Sequence, residues 1–220
     1  MAEAVSGEII FGAVEANSRY SLCNLIEGRY QELMEENNEP VLLDISPYYE
    51  NDSFVHLANS NQDKFIILSL NCQSLNAKFN ELRLYVELYA ENLCSPTVIC
   101  LQETWLHENS DISLLQLPGY QLVWRPRSCS AHGSVAFYFL DYLSYTVVNV
   151  FENTTSWDGL FIEVELGSER PGFPKENLIV GNIYRPPNSN IYSITSFTDD
   201  IQQIFRDLDR KTRVIIAGDF

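Results

Sequence analysis

From Phe65 onward the chain alternates apolar runs with polar punctuation, and the two periods in that pattern predict strands and helices in turn. Phe65–Leu70 is an apolar run of strand length that ends at Asn71. Leu75, Phe79, Leu82, Val86, Tyr89 and Leu93 then step by four, three, four, three and four, one face of a helix over about Ala77–Asn92. Pro96 separates this helix from a second buried strand, Thr97–Gln102, which ends at Glu103. Strand, helix, strand predicts a parallel pair, with Asn71 and Glu103 side by side at the carboxyl ends, where open α/β sheets place their sites.

Shorter runs follow. Tyr120–Trp124, Ser134–Leu140, Tyr145–Val150 and Leu160–Leu166 read as strands, with glycines at 119, 133, 159 and 167 on their boundaries. Ser134–Leu140 and Tyr145–Val150 read as a hairpin about Asp141–Ser144, so the sheet is expected to be mixed. Leu178–Tyr184 is a buried strand leaving through Arg185-Pro186-Pro187. A second helix is expected over Thr195–Asp209, with Phe197, Ile201, Ile204, Phe205 and Leu208 on one face. Its last turn leads to Arg213-Val-Ile-Ile-Ala-Gly-Asp219, a buried strand delivering one carboxylate to a sheet end.

Charge divides the chain. Residues 1–62 hold eleven acids and two bases, a balance of −9, against −7 over 63–220 and −16 overall. The first segment reads as an acidic leader, with a short helix over Glu27–Asn37 stopped by Pro40. Residues 63–220 read as the folded domain, since 45% hydrophobic composition supports a sizeable core. So acidic a chain is a poor bulk coat for nucleic acid, though acids that hold a metal remain compatible with it. Five cysteines without a CxxC pair argue for a reducing compartment. The acidic N-terminus lacks the basic start of a signal peptide, and no apolar run approaches the ~18 residues of a spanning helix. An intracellular protein, nuclear or cytoplasmic, is expected.

Four predicted strands thus end in polar groups: Asn71, Glu103, Tyr184 with Arg185, and Asp219. Acids, an amide and a phenol on one rim suit Mg2+, or Mn2+ in its place, and a phosphate. Glu103 is read as the direct metal ligand, with Asn71 orienting it or a bound water. Tyr184 and Arg185 can donate to phosphate oxygens, and Asp219 can orient or deprotonate a water. Each also has a plainer reading: Glu103 as a cap for the segment after it, Asp219 as a turn residue, the others as the start of a loop.

Leu70-Asn-Cys-Gln-Ser-Leu-Asn-Ala-Lys78, Cys100-Leu-Gln-Glu-Thr-Trp-Leu106, Leu117-Pro-Gly-Tyr120, Gly133-Ser-Val-Ala-Phe-Tyr138, Asn182-Ile-Tyr-Arg-Pro-Pro-Asn188 and Ile216-Ala-Gly-Asp-Phe220 occur in this order. Together they resemble the endonuclease domain of non-LTR (LINE-type) retrotransposons, within the endonuclease/exonuclease/phosphatase superfamily. The resemblance covers residues 65–220, about the first two thirds of such a domain. It implies a four-layer α/β sandwich of the DNase-I-like type, two mixed sheets flanked by helices, incomplete at its C-terminus. It also implies Mg2+-dependent nicking of target DNA, with Asn71, Glu103, Tyr184 and Asp219 in the active site. The asparagine after Gly-Asp-Phe and a later Ser-Asp-His segment are absent, and Gln73 stands where an arginine is common. The alternative is a catalytically dead remnant acting as an interaction protein, with a partner covering the incomplete sheet.

Overall fold

A computed structural model of the protein describes residues 9–13, 65–92, 94–126, 133–148, 157–166, 176–186, 194–207 and 213–219. The expected helix at 27–37 lies outside these residues. One strand, β1 (Ile9–Ala13), does come from the acidic N-terminal segment. It runs parallel to β2 (Phe65–Asn71). After β2 come α1 (Leu75–Glu91), β3 (Val98–Gln102), a 3-10 turn (Ile112–Leu115), β4 (Tyr120–Arg125), β5 (Val135–Leu140), β6 (Tyr145–Val148), β7 (Asp158–Leu166), β8 (Glu176–Tyr184), α2 (Ile194–Asp207) and β9 (Arg213–Asp219).

The strands form two mixed sheets. The first has the order β1-β2-β3-β5-β4, the second β6-β7-β8-β9. β2 and β3 are parallel, as are β8 and β9, and the other pairs within 98–184 are antiparallel.

Alternation along the strands decides the layers. Ile67, Val98, Cys100, Val135, Phe137 and Phe139 of the first sheet meet Leu160, Ile162, Val164, Leu178, Val180 and Ala217 of the second in one core. Their neighbours Ile66, Leu68, Ile99, Leu101, Ala136 and Tyr138 point the other way, onto Leu75, Phe79, Leu82, Val86 and Tyr89 of α1. On the far side Phe161, Ile179 and Ile183 pack on Ile204 of α2. The stack is therefore helix, sheet, sheet, helix, the sandwich that the resemblance implies.

The apolar face read for α1 is the buried one, and Ser74 caps the helix by accepting from the Ala77 N–H. Two expectations fail. β5 and β6 do not form a hairpin: β5 is flanked by β3 and β4, and β6 pairs with β7 in the other sheet. Both edges of β5 are thus already taken. The Asp141 N–H donates to Gly119 O, which anchors the turn after β5, and Tyr145 then stacks on Phe139 across the interior, with ring centroids 4.9 Å apart. Phe205 of α2 is half exposed rather than part of the buried face, which is carried by Ile204 with Phe197 and Ile201.

Polar groups also cross between the sheets. The amide of Asn182, two residues before the end of β8 and fully buried, donates to Leu101 O at 3.0 Å and Ala136 O at 2.9 Å. Its Oδ1 accepts from Gln102 Nε2 at 2.6 Å, and Gln102 also donates to Ser69 Oγ at 3.2 Å. Buried polar atoms without partners are costly, so this set holds the sheets in one register. Asn182→Ala should leave these groups unsatisfied and destabilise the fold by about 2–4 kcal/mol in a urea titration. A change under about 0.5 kcal/mol would show that the bonds do not hold the sheets.

Candidate active site

The register across both sheets places the predicted residues at one end of the sandwich. Asn71 sits opposite Gln102, so Glu103 follows directly beside it. In the second sheet Asp158, Tyr184 and Asp219 form one row across β7, β8 and β9. The two rows meet at Asn71. Its Nδ2 donates to Glu103 Oε1 at 2.7 Å and to Asp219 Oδ2 at 2.6 Å, joining residues from three strands and both sheets. Its Oδ1 accepts from the Gln73 N–H at 3.2 Å, which fixes the amide plane. Tyr184 belongs to the interior cluster and is 5% exposed, beside Asp219 in register.

Arg185 is divided between two sides. Its N–H donates to Asp219 O at 2.8 Å, but its guanidinium lies over the ring of Phe197, 5.8 Å from the centroid. The structure thus brings together Asn71, Glu103 and Asp219 by direct bonds and Tyr184 by register, and turns the Arg185 side chain toward α2. His107 is exposed on the loop after β3, and His132 lies outside the described residues.

The backbone that presents Glu103 is unusual. Gln73, Ser74, Glu103, Trp105 and Ser134 all have positive φ, between 44° and 90°, as does Gly133 at 102°. Side chains other than glycine occupy that region at a cost of order 1 kcal/mol or more each, so neighbours must hold them there. The loops hold one another. Ser74 N donates to Glu103 O at 2.8 Å, Leu75 N to Thr104 O at 2.9 Å and Trp105 N to Gly133 O at 2.9 Å. Thr104 and Ser134, both buried, share a short hydroxyl–hydroxyl bond, and Leu106 N donates to Ser134 Oγ at 3.2 Å.

Several residues that shape this rim were not singled out from the sequence: Gln102, Asn182, Thr104, Ser134 and Asp158. Gln102 and Asn182 carried a readable signal, since a polar side chain within an apolar strand must find a buried partner. Asp158 carried little, because Trp157-Asp158-Gly159 reads as a turn before a strand that in fact begins at Asp158.

The donor set suits a hard divalent cation. Two carboxylates lie within hydrogen-bond reach of one neutral amide. Among the described residues, Lys78–Glu81 and Arg83–Glu87 are ion pairs on α1, and no Lys or Arg of these residues forms one with Glu103 or Asp219. Oxygen donors with uncompensated negative charge fit Mg2+. No group of three or more His, Cys, Asp or Glu is placed for a metal among the described residues, so the set is two acids and an amide. Cys72, next to Asn71, is no substitute ligand. Burial pushes its thiol from 9.0 up to about 12, and its Sγ lies 3.3 Å from Gln102 O.

Against known proteins, residues 68–220 match the model of the endonuclease/exonuclease/phosphatase family. The chain belongs to that family. Among solved structures it is similar to the catalytic domain of Xenopus laevis APE2, at 18% identity over 69% of this chain and 57% of that one, with a TM-score of 0.51. It also matches the endonuclease domain of TRAS1, a telomere-specific non-LTR retrotransposon, at 15% identity over 70% and 57%, TM-score 0.46. An AP endonuclease from Archaeoglobus fulgidus aligns at 16% identity over 70% and 56%, TM-score 0.49. The family member spans less than two thirds of the length of these structures. No curated protein sequence matches it. No helix among its described residues is long and apolar enough to cross a membrane.

Two outcomes test this geometry. Asn71→Asp should replace the bridging donor with a third carboxylate and lower stability in EDTA by about 1–3 kcal/mol. Adding Mg2+ should recover part of that loss in a thermal melt, and no recovery would show that the acids do not take a cation. Cys72 should resist a thiol reagent at pH 8 in the native protein and react on unfolding, as read by mass mapping. Because folding raises its pKa, its stabilising contribution is complete below pH 9.0 and is lost as pH rises from there toward about 12.

Proposed function

We propose that this chain carries the phosphodiester-cleaving site of a Mg2+-dependent DNA endonuclease of the kind that nicks target DNA in non-LTR retrotransposons. The observation that carries this reading is the Asn71 amide bonded at once to Glu103 and Asp219, from the two sheets. The six ordered motifs and the family membership support it over an unrelated acidic cluster. Glu103, with Asn71 beside it, would hold the ion. A bound Mg2+ supplies charge compensation at the phosphorus and at the leaving oxygen.

The side chains have separate tasks. Asn71 donates to one oxygen of each acid, which orients both carboxylates and leaves the other oxygens for ligation or proton transfer. Asp219 accepts a proton from the attacking water as the new P–O bond forms. The bond from phosphorus to the 3′ oxygen then breaks, and that oxygen takes a proton from solvent. The products are a 3′ hydroxyl and a 5′ phosphate. Tyr184, in the same row as Asp219, donates its phenol to a phosphate oxygen. The Arg185 guanidinium, stacked toward Phe197, does not support the phosphate contact expected of it.

Conversion of supercoiled plasmid to the nicked circle tests the reading. The chain joined to the Ser-Asp-His segment that the resemblance implies should nick with Mg2+ or Mn2+ and stop in EDTA. Asp219→Asn should lower the rate by about 10²–10⁴-fold. Glu103→Ala should leave an Mg2+ dependence that no longer saturates at millimolar ion. Undiminished nicking by both variants would overturn the assignment. A well-folded chain that never nicks would favour the non-catalytic interaction protein instead. That reading draws on β9, an edge strand of its sheet among the described residues.

A further inference from the structure

We infer that Asp158 is a positioning residue for Glu103, acting from the opposite sheet through Ser134. This deepens the functional reading above and rests on Glu103 being a cation ligand. Asp158 opens β7, in the row that continues through Tyr184 to Asp219. Its Oδ2 accepts from the Ser134 N–H at 2.9 Å. Ser134 lies at the entrance of β5, in the first sheet, with φ at 65°.

From Ser134 the path to Glu103 is short. Thr104 N donates to Ser134 O at 3.2 Å, and the two hydroxyls are bonded to each other. Trp105 N donates to Gly133 O. The residues on either side of Thr104, Glu103 and Trp105, are both in the left-handed region, with φ of 52° and 55°. An unsupported chain would leave that conformation. Asp158 thus fixes the peptide of Ser134, Ser134 fixes Thr104, and Thr104 sets the direction in which Glu103 leaves β3. The second sheet thereby supplies Asp219 and also holds the loop that carries the acid from the first sheet. Residues that orient a metal ligand commonly change metal affinity by 10–100-fold when altered.

Asp158 is an acid at the same rim, so its charge must be separated from its hydrogen bond. Asp158→Asn keeps an acceptor oxygen in place and removes the charge. Asp158→Glu keeps the charge and displaces the acceptor by one methylene. Asp158→Ala removes both. Mn2+ binding to the full chain, read by electron paramagnetic resonance of the free ion, reports the site without catalysis, with Glu103→Ala marking its loss. Asp158→Glu and Asp158→Ala should weaken Mn2+ binding roughly 10–100-fold, with Asp158→Asn staying within about threefold of the unaltered chain.

Amide hydrogen exchange at Ser134 and Trp105 should accelerate in the Glu and Ala variants and not in the Asn variant. Should Asp158→Ala fail to fold, the contrast between Asn and Glu still decides. The inference is overturned if Asp158→Glu binds Mn2+ like the unaltered chain. It is also overturned if Asp158→Asn loses the ion as Asp158→Glu does, since charge would then be what matters. If the unaltered chain has no Mn2+ site that Glu103→Ala removes, the functional reading itself has failed and takes this inference with it.

Discussion

The buried amide of Asn182 is where the two sheets are held to each other by something more directional than apolar contact. It donates to carbonyls on two neighbouring strands of the opposite sheet and accepts from Gln102, one residue before Glu103. Apolar packing is non-directional and by itself fixes register only loosely. Hydrogen bonds fix it closely, because a shift of one residue would bury several polar groups without partners. The site depends on that register. Glu103 and Asp219 belong to different sheets, and a slip of one strand residue, ~3.3 Å, would exceed the tolerance of the Asn71 bridge.

Further bonds between the sheets lie toward the same end. Asn71 reaches Asp219, Ser134 reaches Asp158, and Arg125 Nη1 donates to Gly159 O at 3.2 Å. Behind these bonds lies the aliphatic and aromatic core between the sheets. The sandwich is therefore asymmetric along its strands. Its packed interior supplies the bulk of the stability, and its polar end converts that stability into fixed positions for a few side chains.

Much of this was legible in the sequence because it was periodic. The face of α1 read from the four-and-three spacing is the face that is buried, and the strand ends at Asn71, Glu103, Tyr184 and Asp219 emerge at one rim. What failed to show was where neighbours decide. Nothing local in Asp141–Ser144 says that the chain leaves one sheet for the other, since the reason is that β3 and β4 already occupy both edges of β5. Likewise Arg185 reads as a phosphate donor, and nothing local shows that the ring of Phe197, twelve residues later on a helix, lies beneath its guanidinium. Asp158 was hidden by a short Trp-Asp-Gly stretch whose role comes from a hydrogen bond spanning 24 residues.

The left-handed backbone around Glu103 bears on how such a sequence tolerates change. Five non-glycine residues there each give up of order 1 kcal/mol, a sum comparable to the whole margin of a small domain. Glycine at 73, 74, 105 or 134 would release that strain, so drift under selection for heat resistance alone has an open route through the rim. The same replacements would loosen the loops that lock one another around Thr104. Lineages under no pressure to keep the chemistry should therefore accumulate glycine at these positions while the sandwich beneath stays intact. The rim would thus record, in its glycine content, whether the site is still in use.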